Sequence, residues 1–304
     1  MERSPVTVKT FTYKNVNGLE IRADVHGADA GTVRPVIMSI HGGALMMGSR
    51  EGIDGQLKSM LLEAGYVIVS VDYRLAPETM LPGIIEDVED AYQWTLQEGP
   101  RLFNADTTRI AVTGSSAGGY LTLVTGHRCV PRPAALISFF GYGDLIGSWY
   151  SSPSPHARHH TTTMSEADAQ AVAGGPPVSE ASHRHGDGGA FYQHCRQRGT
   201  WPRAVSGWDP KLEAEAFHPY MPAVNVDASY PPTLLIHGTA DTDVPYEQSV
   251  MMADALARNG VEHTLISIEG GEHGLGGGPK EQIDAAYQQA FCFIERHLPA
   301  GVTS

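Results

Sequence analysis

The chain has 304 residues, of which 41% are hydrophobic and 18% charged, and its 34 acidic and 21 basic side chains give a formal charge of −13. This length and apolar fraction are typical of a packed globular protein and exclude disordered, collagen-like and small disulfide-rich chains. The acidic balance disfavours nucleic acid and anionic membranes as partners, because both are bound largely through Lys and Arg.

The cysteines and the N-terminal sequence bear on the cellular compartment. Three widely spaced cysteines, Cys129, Cys195 and Cys292, fit neither a disulfide framework nor a zinc pattern, so we predict free thiols. The first residues lack the basic and then apolar profile of a signal peptide. No apolar run approaches the roughly 20 residues that span a bilayer. We therefore expect a cytoplasmic protein that does not bind membranes.

The first 30 or so residues alternate between apolar and polar side chains on both sides of Asn17-Gly18. Alternation is the pattern of a half-buried strand, and Asn-Gly favours a tight two-residue turn. The sequence therefore predicts an antiparallel hairpin at the edge of a sheet. Its apolar positions are Val6, Val8, Phe11, Leu19, Ile21, Ala23 and Val25.

The rest of the chain alternates short β-branched runs with amphipathic stretches. Six strands are predicted at 36–40, 66–71, 109–113, 135–140, 233–236 and 264–268. Five helices are predicted near 52–64, 84–98, 117–127, 246–258 and 281–297. Strands that are apolar almost throughout are typical of a parallel sheet covered on both faces. The fold class predicted is α/β, with right-handed crossovers.

Residues 144–222 break this rhythm, being rich in Gly, Pro, Ser, Trp and His, with weak helical patterns near 165–173 and 188–198. A long insertion in a compact fold is commonly a lid over a site. We therefore predict a catalytic domain of 1–143 and 223–304 with a cap of 144–222. The cap histidines are interpreted as hydrogen-bonded or solvated rather than metal ligands, since only His183-x-His185 has a ligand-like spacing. They are His156, His159, His160, His183, His185, His194 and His218.

A candidate nucleophile lies directly between the strand ending at Thr113 and the helix that follows. A serine on such a turn needs small residues two positions away on either side, which is the G-x-S-x-G pattern. Ser116 satisfies it with Gly114 and Gly118, whereas Ser115 would be flanked by Thr113 and Ala117. The alternatives are a plain small-residue turn and a phosphate cradle at the helix N-terminus, although the lysine of a P-loop is missing.

A serine hydroxyl needs a base, and the base needs an orienting acid. Asp241 follows strand 233–236 and His273 follows strand 264–268, so both lie at carboxyl ends of strands, where open α/β sheets build their sites. We predict a Ser116–His273–Asp241 triad with Asp243 as the fallback acid. The alternatives are a helix-capping Asp and a loop His that bonds only to the backbone.

A tetrahedral intermediate also needs hydrogen-bond donors for its oxyanion. His41-Gly42-Gly43-Ala44 follows strand 36–40, and its glycines leave backbone N–H groups uncovered. With the Ala117 N–H beside the nucleophile, Gly42 and Gly43 are the predicted oxyanion hole, and His41 is expected to brace the loop. A plain Gly-Gly turn is the alternative.

These motifs resemble the α/β-hydrolase carboxylesterases of the hormone-sensitive-lipase-like group, over about 36–143 and 230–297. The resemblance implies the α/β-hydrolase fold, with Gly42 and Gly43 in the oxyanion hole, a structural turn at 72–74 and Ser116 as nucleophile. The acid segment is more similar to the prolyl-peptidase and feruloyl or acetyl-xylan esterase branches. The matching segments are His41-Gly42-Gly43, Asp72-Tyr73-Arg74-Leu75-Ala76-Pro77-Glu78, Gly114-Ser115-Ser116-Ala117-Gly118-Gly119 and His237-Gly238-Thr239-Ala240-Asp241.

The predicted function is hydrolysis of small carboxylic esters with short to medium acyl chains. An amide hydrolase of formamidase or small-peptide type is the alternative, and a non-catalytic ligand-binding relative ranks last. No cofactor and no metal are implied, and a homodimer is left open. A set of apolar residues is assigned equally to a substrate pocket and to the cap's own core. The set is Leu45, Met46, Met47, Tyr142, Trp149, Tyr150, Trp201 and Trp208.

Overall fold

A computed structural model describes residues 7–28, 31–184 and 188–300. Its centre is an eight-stranded sheet with the order β1-β2-β4-β3-β5-β6-β7-β8. β1 and β2 pair antiparallel, as do β2 and β4, and all other neighbours are parallel. The predicted α/β class is confirmed. The strands are β1 Val8–Val16, β2 Leu19–His26, β3 Arg34–Ile40, β4 Val67–Val71, β5 Ala105–Ser115, β6 Ala135–Phe139, β7 Thr233–Gly238 and β8 His263–Ile268.

The N-terminal hairpin forms the edge of the sheet, as predicted. Asn17 and Gly18 have φ angles of 53° and 91° between β1 and β2. Two successive positive φ angles are what a type I′ turn requires, and its twist matches that of the flanking strands. Val6 lies outside the described residues.

Ten α-helices are described. Those outside residues 144–222 are α1 Gly55–Glu63, α2 Leu81–Phe103, α3 Ala117–Arg128, α9 Glu247–Arg258 and α10 Lys280–His297. α2 is longer than predicted at both ends. Pro82 is tolerated because it lies in the first turn, where its missing N–H would have no helical partner. At the other end the helix continues past Pro100 to the buried Phe103 and stops at Asn104, whose φ is 53°.

The two faces of the sheet bury different layers. On one face α1 and α10 pack over strand residues such as Ile37 and Ile68. On the other face α2, α3 and α9 pack over residues such as Met38. The strands thus carry apolar side chains on both faces, which is why their sequences show little alternation.

Residues 144–222 form short helices and contain no strand among their described residues. They are α4 Ser148–Ser151, α5 Glu166–Ala173, α6 Gly189–Arg198, α7 Trp201–Ser206 and α8 Ala214–Phe217, with 3₁₀ turns at Ala157–His160, Ala181–His183, His218–Tyr220 and Pro222–Val224. Tyr150 and Trp201 stack with ring centroids 3.8 Å apart and belong to the same core cluster as α2 and α3. The segment packs on the α2/α3 face, and its status as a separate cap stays a prediction.

Cys129 and Cys195 are buried free thiols and Cys292 is an exposed one. Within the described ranges, every helix is too short or too polar to cross a lipid bilayer.

Candidate active site

Ser116 occupies a strained turn between β5 and α3. Its φ and ψ are 55° and −120°, outside the regions that residues other than glycine usually adopt. A Cβ on Gly114 would lie 2.4 Å from the Gly118 carbonyl oxygen, and a Cβ on Gly118 would lie 2.0 Å from the Ile40 carbonyl oxygen. Both glycines are therefore required by the close approach of backbone, because no side chain fits there. The spacing that singled out Ser116 in the sequence has this physical origin.

Ser116, His273 and Asp241 meet at the carboxyl edge of the sheet. Ser116 Oγ is 3.0 Å from His273 Nε2, and His273 Nδ1 is 2.7 Å from Asp241 Oδ2. An ionised carboxylate only accepts hydrogen bonds, so Nδ1 carries the proton and Nε2 accepts from the Ser116 hydroxyl. The imidazole is thus held with a free base directed at the serine.

The side chain of Asp241 is completely buried and accepts hydrogen bonds from four donors. Its Oδ1 accepts from the backbone N–H groups of Asp243 and Val244, at 2.8 and 2.9 Å. Its Oδ2 accepts from His273 and from His237 Nε2, the latter at 3.2 Å. Burial alone would raise the pKa of Asp241, but the hydrogen bonds from His237 and His273 lower it to about 2. The carboxyl is therefore an anion at neutral pH.

His237 is a site residue that the sequence analysis did not single out. It is the second-to-last residue of β7 and is fully buried, and its Nε2 lies 2.9 Å from the Val244 carbonyl oxygen as well as near Asp241. Both neighbours are acceptors, so Nε2 carries the proton, and Nδ1 accepts from Ser249 Oγ at 2.7 Å. The signal in the sequence is its position at the carboxyl end of β7, four residues before Asp241.

Asp243, the fallback acid, lies on the other side of His273. Its Oδ2 is 3.8 Å from Nε2, beyond hydrogen-bond distance, and it makes no contact with Nδ1. Asp241 therefore makes the contact expected of the orienting acid.

The predicted oxyanion loop follows β3 and approaches Ser116. A Cβ on Gly42 would lie 3.4 Å from Ser116 Cβ, and Gly43, Ala44 and Leu45 all have positive φ angles. Ala117 is the first residue of α3, so its N–H has no acceptor within the helix. Backbone N–H groups of the loop and of α3 thus border the serine from two sides.

His41 and Tyr73 support this loop. His41 Nδ1–H donates to the Gly42 carbonyl at 2.7 Å, and its ring stacks on Tyr73 with centroids 4.3 Å apart. The Tyr73 hydroxyl donates to the His41 carbonyl at 3.0 Å. Burial lowers the pKa of His41 to about 4, so its imidazole is neutral. Trp201 Nε1 donates to the Ala44 carbonyl at 3.0 Å, which ties the loop to residues 144–222.

The candidate pocket residues are mostly packed inside. Leu45, Met46 and Tyr142 have no exposed surface, which favours core packing over a role in an open pocket wall. Trp208 is half-buried against Phe217, at a centroid distance of 5.3 Å. Trp149 is also half-buried and borders a cavity of about 60 Å³ together with Thr242 and Asp243.

A larger cavity of about 420 Å³ lies on the α1/α10 face beside the catalytic edge. Ser115, Phe140 and Gly274 form part of its wall, and the Phe140 ring meets the His273 ring edge-on at 4.9 Å. This space is large enough for a small ligand. The pocket candidates named from the sequence did not include it, because its walls come from four different strands and two helices.

Several histidines of residues 144–222 are hydrogen-bonded. His159 Nδ1 is 2.7 Å from Ser154 Oγ, and His160 Nε2 is 2.8 Å from the Ser154 carbonyl oxygen. His194 Nδ1 lies 3.3 Å from the Met164 carbonyl oxygen. The described part of the chain has no group of three His, Cys, Asp or Glu placed to hold a metal. His185 lies outside the described residues.

Sequence relatives include large fungal synthases. The chain is 29% identical to the non-reducing polyketide synthase ausA of Aspergillus calidoustus, over 97% of its own length and 14% of the synthase. It is 29% identical to the non-reducing polyketide synthase Preu3 of Preussia isomera, over 87% of its length and 12% of that protein. The chain thus spans about one seventh or less of these relatives.

Solved structures and a family profile match most of the chain. An esterase of the archaeon Pyrobaculum calidifontis is 25% identical with a TM-score of 0.67, covering 95% of this chain and 85% of that one. A Staphylococcus aureus protein of unknown function has a TM-score of 0.75 at 21% identity, covering 95% and 98%. The profile of the alpha/beta hydrolase fold matches residues 37–276. The chain therefore belongs to the α/β-hydrolase family.

Proposed function

We propose that this hydrolase cleaves small carboxylic esters through an acyl-enzyme formed on Ser116. The observation that carries the proposal is the continuous hydrogen-bond chain from Ser116 Oγ through His273 to the buried Asp241, at 3.0 and 2.7 Å. A neutral histidine held between a hydroxyl and a carboxylate is the arrangement that activates a serine nucleophile.

In the first half-reaction Ser116 Oγ attacks the ester carbonyl carbon while His273 Nε2 takes the hydroxyl proton. The carbonyl oxygen becomes an oxyanion, and the N–H groups of Ala117, Gly42 and Gly43 are proposed as its donors. One such donor is typically worth about 100- to 1000-fold in rate. The C–O bond to the leaving group then breaks, and the protonated His273 gives its proton to the departing alcohol.

In the second half-reaction water attacks the acyl-enzyme. His273 removes one proton from the water, a second tetrahedral intermediate forms, and Ser116 leaves with that proton as the acid product is released. Asp241 keeps Nδ1 protonated in both steps and stabilises the imidazolium, without itself taking a proton.

The substrate class proposed is an ester with a short to medium acyl chain. The likeness to a solved esterase at 25% identity supports an ester over an amide. A chain-length series of p-nitrophenyl esters, run beside an aryl amide and an N-formyl substrate, distinguishes the two. Turnover that is highest for short esters supports the proposal, and turnover of amides alone overturns it in favour of the amide hydrolase.

The nucleophile is tested by Ser116→Ala, with Ser115→Ala as the matched control. We expect Ser116→Ala to lower the rate of p-nitrophenyl acetate hydrolysis by a factor of about 10⁴ or more, because the attacking oxygen is missing. Ser115 is adjacent in sequence but makes no bond to His273, so its variant should stay active. Equal activity of Ser116→Ala and the wild type, with both folded by circular dichroism, would reject the assignment.

A further inference from the structure

A second carboxylate, Asp243, lies beside the catalytic candidate His273. We propose that Asp243 is a positioning residue whose fixed negative charge favours the protonated form of His273 that arises when Ser116 attacks. This inference rests on the proposed function. It assigns a role to the cluster of residues 158–196 that holds Asp243.

One oxygen of Asp243 is anchored by three donors from residues 144–222. Oδ1 accepts from His159 Nε2 at 2.9 Å, from Arg196 Nη1 at 2.9 Å and from the Tyr192 hydroxyl at 2.5 Å. His159 is oriented for this bond, because its other ring nitrogen accepts from Ser154 Oγ at 2.7 Å. The carboxylate is therefore fixed in direction.

The other oxygen of Asp243 points toward the reacting groups. Oδ2 is 3.8 Å from His273 Nε2, the nitrogen that receives the proton of Ser116. This distance exceeds a hydrogen bond, so Asp243 does not compete with the 3.0 Å contact between Ser116 and Nε2. It is short enough for a strong electrostatic attraction between the carboxylate and a protonated imidazole.

Asp243 is an anion across the working pH range. Burial would raise its pKa, but the hydrogen bond from His159 and the nearby His273 and Arg196 hold it well below its usual value. Burial lowers the pKa of His159, so His159 stays neutral and contributes a hydrogen bond rather than a charge. The charge of Asp243 is thus available to His273.

Other charged groups near His273 set the size of the effect. Asp241 lies at Nδ1, and Glu272 accepts from the His273 backbone N–H at 2.9 Å. Arg158 partly offsets the negative charges, since its guanidinium is 2.8 Å from Glu272 Oε2 and 3.7 Å from Asp243 Oδ2. Arg196 lies on the Oδ1 side, with its guanidinium 4.9 Å from the centre of the Tyr150 ring. Phe140, which is uncharged, packs against His273 in a T-shaped arrangement with ring centroids 4.9 Å apart.

The sign of the effect follows from these charges. Removing the Asp243 charge makes the protonated imidazole less favourable, so His273 remains a free base at lower pH. An opposite charge at this distance typically shifts the pKa of a group by about one to three units. Arg158 and Arg196 offset part of the Asp243 charge, so we expect a shift near the lower end of that range. The acid limb of the pH profile is the range in which kcat/KM falls because His273 becomes protonated. We expect Asp243→Asn to move this limb to lower pH by about one unit.

A second test is Arg158→Gln, which changes a residue on the surface and should shift the pH profile in the opposite direction. Arg158 is 37% exposed, so its loss should leave the fold intact. When the Arg158 charge is removed, Asp243 and Glu272 act on His273 with only Arg196 to offset them. The acid limb should then rise by about half a pH unit, a small shift because the exposed charge is screened. A decrease with Asp243→Asn and an increase with Arg158→Gln cannot both come from general damage.

Two further variants complete the experiment, in which kcat/KM for p-nitrophenyl acetate is measured from pH 5 to 9. Tyr192→Phe removes one bond to Asp243 but keeps its charge, so the acid limb should stay in place. Asp106→Asn removes a carboxylate of similar exposure that pairs with Arg109 at 2.6 Å, at the opposite end of β5. It should also leave the limb unchanged.

The proposal is overturned if the acid limb moves by less than about 0.2 pH units, which is on the order of the measurement error, in both Asp243→Asn and Arg158→Gln. It is equally overturned if Asp106→Asn or Tyr192→Phe shifts the limb as far as Asp243→Asn does. If Asp243→Asn does not fold, the direction of the Arg158→Gln shift decides. Absence of Ser116-dependent turnover in the wild type would instead reject the proposed function.

Discussion

Replacing Asp241 with Asn tests the tautomer on which the proposed mechanism depends. The backbone N–H groups of Asp243 and Val244 both donate to Oδ1, at 2.8 and 2.9 Å. An asparagine must therefore place its oxygen there, because the opposite orientation would set its amide against two donors. Its NH₂ group then takes the place of Oδ2, 2.7 Å from His273 Nδ1. Nδ1 must now accept, so the proton moves to Nε2.

A proton on Nε2 removes the base that Ser116 needs. The same reversal in a serine-protease triad lowers kcat by about 10⁴, which corresponds to about 5.5 kcal/mol of transition-state stabilisation. We expect a loss of this order in kcat for p-nitrophenyl acetate with Asp241→Asn, while KM changes little. The buried His237 N–H, 3.2 Å from Oδ2, adds a second unfavourable contact to the asparagine.

The assay is steady-state hydrolysis at pH 8, with circular dichroism to verify the fold. Asp106→Asn is again the matched control, since it makes the same chemical change away from the site and should retain full activity. Activity of Asp241→Asn within tenfold of the wild type would refute the reasoning, because it would mean that Nε2 remains a base without the carboxylate.

Two other predictions concern stability. Gly118→Ala should lower the free energy of unfolding by about 3 kcal/mol or more and abolish activity, because its Cβ would lie 2.0 Å from the Ile40 carbonyl oxygen. Gly55→Ala, where no atom lies within 4 Å of the added Cβ, is the control, and chemical denaturation should show it to be as stable as the wild type or slightly more so. Asp241 has its pKa lowered from 3.8 to about 2, so its ionised form contributes about 2 kcal/mol of stability above pH 4. That contribution should disappear as the pH falls from about 4 to about 2. Asp241→Asn should lack this component of acid unfolding in denaturant titrations, and an identical pH dependence of both proteins would contradict the assignment.

Much of the fold and of the catalytic geometry follows from local sequence patterns. The choice of Ser116 over Ser115 depends only on which residues lie two positions away, and the structure shows the backbone contacts behind that rule. Asp241 and His273 were predicted because strand ends meet at one edge of a parallel sheet, and the structure brings both side chains together with Ser116. Such features are encoded within a few residues of each side chain.

The features that sequence analysis missed depend on contacts between distant parts of the chain. The role of His237 depends on what surrounds its ring. Asp243 was named only as a fallback acid, and its partners His159 and Arg196 lie 84 and 47 positions away. For Leu45 and Met46 the sequence left pocket and core equally open. Both are completely buried beside the predicted oxyanion loop, where Ala44 and Leu45 have positive φ angles. A local pattern does not report such directions.

The aromatic stack between α3 and α7 limits how this protein can evolve by exchange of segments. Tyr120, Tyr142, Tyr150 and Trp201 form one continuous set of ring contacts, and Trp201 also bonds to the Ala44 carbonyl. Residues 144–222 thus share their interior with the scaffold beneath them, and separating the two would expose these rings to water. Grafting this segment onto a related scaffold would require its aromatic platform to be transferred with it.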